Sequence, residues 1–215
     1  IARDVVHPRI VRVFDIEEAG ETVFLTMEII EDGSLGDRLT THSPARPVAI
    51  DDAARWATQA LEGLAALHAM GILHRDIKPG NLLLTADGEI KLSDFDLALH
   101  LDRDETRATT HESILGTLEY LSPEQALGQP VDARSDLYSL GVVLFEMIAG
   151  ERPFNAKDTM ALLGMHRAAP TPKLEDRMNL MSGSSEIPEG VQELIEKAMA
   201  KSPDDRFQSA VELAD

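Results

Sequence analysis

Apolar and polar residues alternate near the start of the chain. Val11 and Val13 flank a polar residue, and Val23, Leu25 and Met27 resume the alternation beyond an acidic segment that contains a glycine. Successive side chains of a β-strand point to opposite faces, so a period of two residues indicates strands with one buried face. The turn residues between the two runs therefore predict an antiparallel β-hairpin.

Three later stretches have the period of helices. The first is predicted to begin with Asp51 as its N-cap and to end at Gly71. The second is so strongly apolar that it predicts a buried central helix. In each stretch apolar residues recur every three or four positions, namely Ala57, Ala60, Leu61, Leu64 and Leu67 in the first, Leu137, Leu140, Gly141, Leu144, Met147 and Ile148 in the second, and Val191, Leu194, Ile195 and Ala198 in the third.

Shorter elements and connections lie between these helices. Residues 82–84 and 90–92 are apolar runs joined by Ala86-Asp87-Gly88, which predicts a second, short hairpin. Residues 99–112 are mostly polar and charged, so we expect a surface loop there. A long connection is predicted to include residues 171–172 and 182–185, where proline, glycine and serine collect.

Composition limits the classes of function. The 215 residues, 43% hydrophobic and 27% charged, predict one domain or one lobe. The 38 acidic residues exceed the 20 basic residues and give a formal charge of −18, which repels phosphates, so nucleic acid is not expected as a partner. The chain has no cysteine, which excludes disulfides and thiolate metal sites.

The sequence also bears on location. No run approaches the roughly eighteen apolar residues that cross a membrane, and no signal peptide precedes the domain. We therefore expect no membrane segment in this chain and a cytoplasmic location, either alone or as the cytosolic domain of a larger or membrane-anchored protein.

One polar segment has the pattern of a phosphoryl-transfer site. Residues 74–81 read His-Arg-Asp-Ile-Lys-Pro-Gly-Asn, and Asp94-Phe95-Asp96 begins thirteen residues after Asn81. Phosphoryl transfer needs a carboxylate that takes the proton of the attacking hydroxyl and oxygen ligands that hold a metal ion against the phosphates. Asp76 can supply the first group, and Asn81 with Asp94 the second.

Five motifs in order resemble those of the eukaryotic-type serine/threonine protein kinases found in bacteria. The resemblance covers nearly the whole chain, through residues 74–81, 94–95, 116–124, 132–141 and 202–207. It implies an α+β, protein-kinase-like fold, with residues 1–30 as a remnant of the small lobe and hinge, and residues 31–215 as the mostly helical large lobe. It also implies transfer of the ATP γ-phosphoryl group to serine or threonine hydroxyls of a protein substrate.

The resemblance assigns roles in catalysis. Asp76 would be the catalytic base, and Lys78 would stabilise charge on the moving phosphoryl group. Thr117 would orient the acceptor hydroxyl beside Asp76. Asn81 and Asp94 would bind Mg²⁺, or Mn²⁺ in its place.

The resemblance also assigns the nucleotide contacts. Met27 would be the gatekeeper. The hinge, which offers backbone groups to adenine, would be formed by residues 28–30, with Glu28 and Ile30 at its ends. Leu83 would lie under the adenine ring.

Three further residues have structural interpretations. Glu124 and Arg206 resemble a buried ion pair of the large lobe. Asp136 resembles the residue that holds the catalytic loop, and it is interpreted as a helix cap that satisfies amides of the loop.

Regulation is also implied by the family pattern. Thr109 and Thr110 stand where activating phosphates occur in related kinases, and Arg75 precedes the catalytic aspartate. A phosphate on either threonine is expected to pair with this arginine and to order the loop.

Two departures from the family pattern leave alternatives open. Nothing before Met27 contains a glycine-rich phosphate loop or an Ala-x-Lys strand, so the chain is expected to begin after those parts and to be weak or inactive as a fragment. Asp96 stands where the family has glycine. These departures favour, as one alternative, a pseudokinase that regulates a partner. The second alternative is a small-molecule phosphotransferase, although residues 116–124 resemble a platform for protein substrates.

Overall fold

The computed structural model describes residues 4–20, 22–40, 47–95, 118–178 and 187–215. Several predicted features lie outside these residues, so their predictions remain untested. They are the loop over residues 99–112, Asp96, Thr109, Thr110 and Thr117.

The first predicted hairpin is confirmed. Strands β1 (Val13–Ala19) and β2 (Thr22–Met27) are antiparallel, with Val13 opposite Met27 and a register irregularity just after Val13. Val11 is not part of β1, because its amide donates a hydrogen bond to the carbonyl of Leu92 at 2.8 Å. The segment before the hairpin is thus attached to a different part of the fold.

The second predicted hairpin is also confirmed. Strands β3 (Leu82–Leu84) and β4 (Ile90–Leu92) are antiparallel, and Leu83 lies opposite Lys91. The outer residues of both strands are buried, whereas Leu83 and Lys91 are half-buried on the other face. This alternation is the two-residue period of a sheet with one face against the core.

Helix α1 (Leu35–Thr40) is followed by the long helix α2 (Ile50–Ala69). The prediction that Asp51 is the N-cap of α2 is wrong, because Ala49 holds that position and no side chain caps the helix. Asp51 instead lies in the first turn, where the helix dipole favours a negative charge. The predicted end is confirmed, since Gly71 has a φ of +72° just beyond the helix.

Helix α2 supports the second hairpin through buried polar contacts. The indole Nε1 of Trp56 donates to the carbonyl of Gly88 at 2.9 Å, and the amide of Ile90 donates to Oε1 of Gln59 at 2.8 Å. Gly63 of α2 allows close approach, because a Cβ there would lie 2.7 Å from Cδ1 of Leu92. These contacts place β4, and the residues that follow it, firmly against α2.

The predicted buried central helix is confirmed as α4 (Ala133–Ala149), which follows the short helix α3 (Pro123–Ala126). Asp136 is not its cap, contrary to that part of the prediction, but the other part is confirmed, because its carboxylate accepts hydrogen bonds from the loop amides of His74 and Arg75. The N-cap is Asp132, whose side chain accepts a hydrogen bond from the amide of Arg134. Asp136 lies one turn further along, so its carboxylate is available to other partners.

The remaining described elements are four helices and two short 3₁₀ turns, of which the first, Pro79–Asn81, directly precedes β3. The others follow α4. These are α5 (Thr159–Ala168), α6 (Leu174–Met178), α7 (Val191–Ala198), a 3₁₀ turn (Pro203–Asp205) and α8 (Ala210–Ala214). The long connection predicted around residues 171–185 therefore contains a helix that the sequence pattern missed. Helices α2, α4, α7 and α8 enclose the main core. Across the described ranges, no helix is long and apolar enough to cross a bilayer.

Candidate active site

The segment His74–Asn81, which contains the predicted catalytic residues, is anchored by α4. The carboxylate of Asp136 accepts hydrogen bonds from the amides of His74 at 2.9 Å and Arg75 at 2.8 Å. It also contacts Nε2 of His68, at the end of α2, at 2.8 Å. Asp136 is only 2% exposed, so these partners satisfy a charge that would otherwise be costly to bury.

Arg75 has an unusual backbone conformation that a second contact supports. Its φ is +64°, a left-handed value that strains residues other than glycine. Its carbonyl accepts a hydrogen bond from Nε2 of Gln125 at 2.9 Å, while its amide is held by Asp136. The peptide units on both sides of Arg75 are therefore fixed, which determines where the next residue, Asp76, points.

Asp76, Lys78 and Asn81 form a compact polar cluster. Oδ2 of Asp76 lies 2.7 Å from Nζ of Lys78 and 2.9 Å from Nδ2 of Asn81. The same Asn81 nitrogen donates to the carbonyl of Asp76 at 2.8 Å. Because one carboxylate oxygen makes both side-chain contacts, Oδ1 of Asp76 has no donor within the described part of the chain and can accept another hydrogen bond.

Ser93 joins this cluster to Asp94. The amide of Ser93 donates to the carbonyl of Asn81 at 3.0 Å, and its hydroxyl donates to Oδ2 of Asp94 at 3.2 Å. Asp94 has a φ of +61° and an exposed side chain, whereas Phe95 is 1% exposed. Burial of the phenyl ring fixes the chain just after the exposed carboxylate.

The side-chain oxygens of Asn81 and Asp94 are suitable ligands for a small divalent cation. Asn81 uses its amide nitrogen to hold Asp76, so its amide oxygen is the group available to a metal. Mg²⁺ is commonly held by one or two protein oxygens together with substrate phosphates and water. In the part of the chain that the structure describes, no cluster of three His, Cys, Asp or Glu side chains forms a metal cage of its own. The arrangement therefore suits a metal that is bound jointly with a nucleotide.

The residues predicted to contact adenine lie around the ends of β2 and β3. Met27 ends β2 and is 36% exposed, and Ile30 is half-buried. The carbonyl of Gly33 accepts a hydrogen bond from the amide of Leu84 at 2.9 Å, and Ser34 forms a β-bridge with Leu83. The chain that follows the hinge is thus one strand spacing from Leu83.

The side chain of Glu28 forms an ion pair that its predicted position in the hinge did not indicate. Both of its carboxylate oxygens contact Nζ of Lys91, at 2.7 and 2.8 Å. Burial raises the pKa of Glu28, but hydrogen bonds from Lys91 and from the amide of Arg12 outweigh it and hold that pKa below its ordinary value. The carboxylate therefore stays ionised and paired.

His74 is a packed residue. It is 0% exposed, and burial lowers the pKa of its imidazole. A neutral ring matches its place in the core beneath the loop. Its Nδ1 lies 3.4 Å from the amide of Asp76, at the limit of a hydrogen bond.

The predicted buried ion pair is present. The two terminal guanidinium nitrogens of Arg206, Nη1 and Nη2, donate to the carboxylate of Glu124 at 2.7 and 2.8 Å. The hydroxyl of Ser135 donates to the same carboxylate at 2.6 Å. Burial raises the pKa of Glu124, but the hydrogen bonds from Arg206 and Ser135 outweigh it and lower that pKa overall. The pair connects α3, α4 and the turn before Arg206.

The structure brings Asp76, Lys78, Asn81 and Asp94 together and places Leu83 near the hinge. Sequence reasoning missed His68, Ser93 and Gln125 as supports of this site. Gln125 had a visible signal, because Ser122 and Gln125 form a capping box with the spacing of that motif. For the other two, no local pattern distinguishes a supporting residue from an ordinary helix or strand residue.

Comparison with known proteins identifies the family. A family model described as protein kinase domain matches residues 1–214. The chain belongs to the protein kinase family, and the expected α+β kinase fold is confirmed. Members of this family use ATP and a divalent metal ion.

Curated relatives narrow the comparison further. The chain is 36% identical over 207 residues to serine/threonine-protein kinase PrkC of Bacillus subtilis (strain 168), covering 96% of this chain and 30% of the relative. It is 36% identical over 212 residues to serine/threonine-protein kinase PknB of Mycobacterium leprae (strain TN), covering 96% of this chain and 32% of the relative. The chain thus spans about a third of the length of these relatives.

Proposed function

We propose that this chain transfers the γ-phosphoryl group of ATP to serine or threonine hydroxyls of a protein substrate. The observation that carries the proposal is the geometry of Asp76. Its carboxylate contacts Lys78 and Asn81 through one oxygen, and no donor among the described residues occupies the other oxygen, which can accept from a substrate hydroxyl. The names of the relatives, which are serine/threonine kinases, support the choice of acceptor.

Each group of the cluster has a part in this reaction. Asp76 would accept the proton of the attacking hydroxyl as its oxygen bonds to the γ-phosphorus, while the bond from that phosphorus to the β–γ bridging oxygen breaks and ADP leaves. Lys78, held 2.7 Å from Asp76, would place a positive charge beside the oxygens of the moving group. A bound Mg²⁺ supplies charge neutralisation of the phosphates, and Asn81 with Asp94 would hold it. We propose Mg²⁺, or Mn²⁺ in its place, because carboxylate and amide oxygens are suitable ligands for both ions.

A transfer assay tests this proposal. The protein is incubated with γ-labelled ATP, Mg²⁺ and a panel of serine, threonine and tyrosine peptides, with amino alcohols and sugars as alternative acceptors. Transfer by this chain alone is expected to be slow, and we expect label on serine or threonine only. Asp76→Asn should lower kcat by about 10²- to 10⁴-fold and leave nucleotide affinity in place.

The exposed turn residue Asp87 provides a matched control, because Asp87→Asn makes the same chemical change in the β3–β4 turn. Its kcat should match that of the unaltered protein. Label on a small-molecule acceptor, or equal rates for Asp76→Asn and Asp87→Asn, would refute the assignment.

A further inference from the structure

The ion pair between Glu28 and Lys91 joins two parts of the proposed nucleotide site. Glu28 directly follows β2, and Lys91 is the middle residue of β4. Their side chains are only 24% and 21% exposed, so the pair is better shielded from water than a surface ion pair. An interaction of this kind can hold the two segments in one arrangement.

Backbone hydrogen bonds reinforce the same connection. The amide of Arg12 donates to Oε1 of Glu28 at 2.7 Å, and the amide of Glu28 donates to the carbonyl of Arg12 at 2.9 Å. The neighbouring segment pairs with β4, because Val11 donates to the carbonyl of Leu92 and the amide of Leu92 donates to the carbonyl of Arg9, both at 2.8 Å. Glu28 is therefore linked to β4 directly through Lys91 and indirectly through residues 9–12.

The ion pair and these backbone hydrogen bonds connect the two segments that would bind ATP. On the hinge side, Glu28 begins the segment expected to bind adenine. On the other side, Lys91 lies opposite Leu83, the residue expected under the adenine ring, and β4 leads within two residues to Asp94. The pair thus connects the segment expected to bind adenine with the strand that leads to the expected metal ligand.

We propose that Glu28 and Lys91 are positioning residues for nucleotide binding, which hold the hinge in register with Leu83 and Asp94. The inference rests on the proposed function, because it concerns ATP as the ligand. When the pair is broken, the hinge occupies its binding arrangement for a smaller fraction of the time. The apparent dissociation constant rises in inverse proportion to that fraction.

A purely structural role predicts a different result. If the pair contributed only to folding, its loss would lower the amount of folded protein, and the folded molecules would still bind with normal affinity. Calorimetric titration separates these cases, since the binding stoichiometry reports the competent amount of protein and the dissociation constant reports affinity.

The test compares four single variants of the full chain by calorimetric titration with MgADP. Lys91→Met removes the cation, and Glu28→Gln removes the charge while it keeps an oxygen that can accept from Arg12. Both should weaken MgADP binding about three- to tenfold at unchanged stoichiometry, as expected if the competent fraction falls to roughly a third or a tenth. Lys91→Arg keeps the pair and should stay within about twofold of the unaltered protein.

Lys173→Met is the matched control. It makes the same change in the exposed pair between Lys173 and Glu196, far along the chain from the nucleotide site. Its affinity for MgADP should be unchanged. Amide hydrogen exchange supplies a second measurement, in which residues 28–30 should exchange faster in Lys91→Met and Glu28→Gln than in Lys173→Met.

The outcomes are distinguishable. Unchanged affinity with reduced stoichiometry in both Lys91→Met and Glu28→Gln would overturn the positioning role. Equal exchange rates of residues 28–30 in all variants would overturn it as well. If the unaltered protein binds no nucleotide while hydrogen exchange still shows the hinge released by Lys91→Met, the proposed function has failed and the mechanical link between hinge and β4 stands.

Discussion

Asp136 binds the backbone amide of Arg75 at 2.8 Å, although 61 residues separate them in the chain. This contact fixes the peptide that precedes Asp76, and the left-handed φ of Arg75 turns Asp76 toward Lys78 and Asn81. Backbone strain of this kind persists only where surrounding contacts hold it. The central helix therefore helps to determine the position of the proposed catalytic base through the backbone of Arg75.

Removal of the Asp136 carboxylate should destabilise the protein strongly. Asp136→Ala leaves two amides and the ring of His68 without their acceptor, so we expect a loss of about 3–5 kcal/mol in the free energy of unfolding. Urea denaturation measures this loss. Asp132→Ala serves as the control, because it removes an exposed N-cap of the same helix and should cost only about 1 kcal/mol. Similar losses in the two variants would contradict the anchoring role.

Asp94 is expected to govern metal-dependent binding. Asp94→Asn replaces a charged oxygen ligand with a neutral amide, so Mg²⁺ should no longer increase the melting temperature in the presence of ADP. Thermal-shift titrations with metal and nucleotide measure the effect. The control is Asp51→Asn, in the first turn of α2, which should keep the full metal-dependent shift. A normal shift in Asp94→Asn would exclude this residue as a metal ligand.

The pair between Glu124 and Arg206 gives stability a defined pH dependence. The lowered pKa of Glu124 means that its contribution is complete above the ordinary carboxyl pKa of 4.5 and is lost as pH falls through the lower folded value. Arg206→Met leaves a buried carboxylate without its cation, so we expect a loss of about 3–5 kcal/mol at neutral pH. In that variant burial raises the pKa, and protonation relieves the penalty as pH falls.

The free-energy difference between the unaltered protein and Arg206→Met should therefore be smaller near pH 4.5 than near pH 7, as urea denaturation at the two pH values can show. Lys197→Met, which breaks the exposed pair with Glu212, should cost well under 1 kcal/mol at both pH values. A difference that grows as pH falls would contradict the sign of the linkage.

We expect His166 to give the stability of the protein a second pH dependence, at higher pH than that of Glu124. Burial, assisted by Lys201, lowers the pKa of His166 from 6.5 to about 4. The unfolded chain takes up a proton below about pH 6.5 that the folded protein does not, so stability falls as pH falls. From pH 7 to pH 5 this one group should reduce the free energy of unfolding by about 2 kcal/mol.

Substitution of His166 tests this effect. His166→Gln should lose most of that decline between the two pH values, even if it is less stable at neutral pH. An unchanged decline in His166→Gln would assign the pH dependence to other groups.

Much of the local structure could be read from the sequence. The two hairpins and the helices α2, α4 and α7 follow from periodicity, because a repeating pattern of burial is a local property of one segment. The cluster of Asp76, Lys78 and Asn81 was found because its members lie within one short loop. The short helix α6 was missed, since five residues beside prolines carry too little periodic signal.

The two wrong N-cap predictions also arise because a local pattern does not show which segments pack together. Asp51, Asp132 and Asp136 all lie near the start of a helix, and sequence alone assigned the cap to Asp51 and Asp136. The structure gives the cap to Asp132 and turns Asp136 toward the catalytic loop. Which carboxylate satisfies its own helix and which satisfies another segment depends on what packs beside it, and that is not a local property.

The sequence by itself determined the family, the periodic elements and the chemical groups of the proposed active site. The resemblance points to Asp136 as a support of the loop, but only the tertiary structure decided which groups it contacts and which other residues assist: Asp136 and Gln125 hold Arg75 across 61 and 50 residues, and Lys91 holds Glu28 across 63. The sequence gives the order of the residues, but contacts between distant segments depend on how whole helices and strands pack. The physical reason is that a charged or amide side chain is stabilised by whichever unpaired group the folded core brings to it.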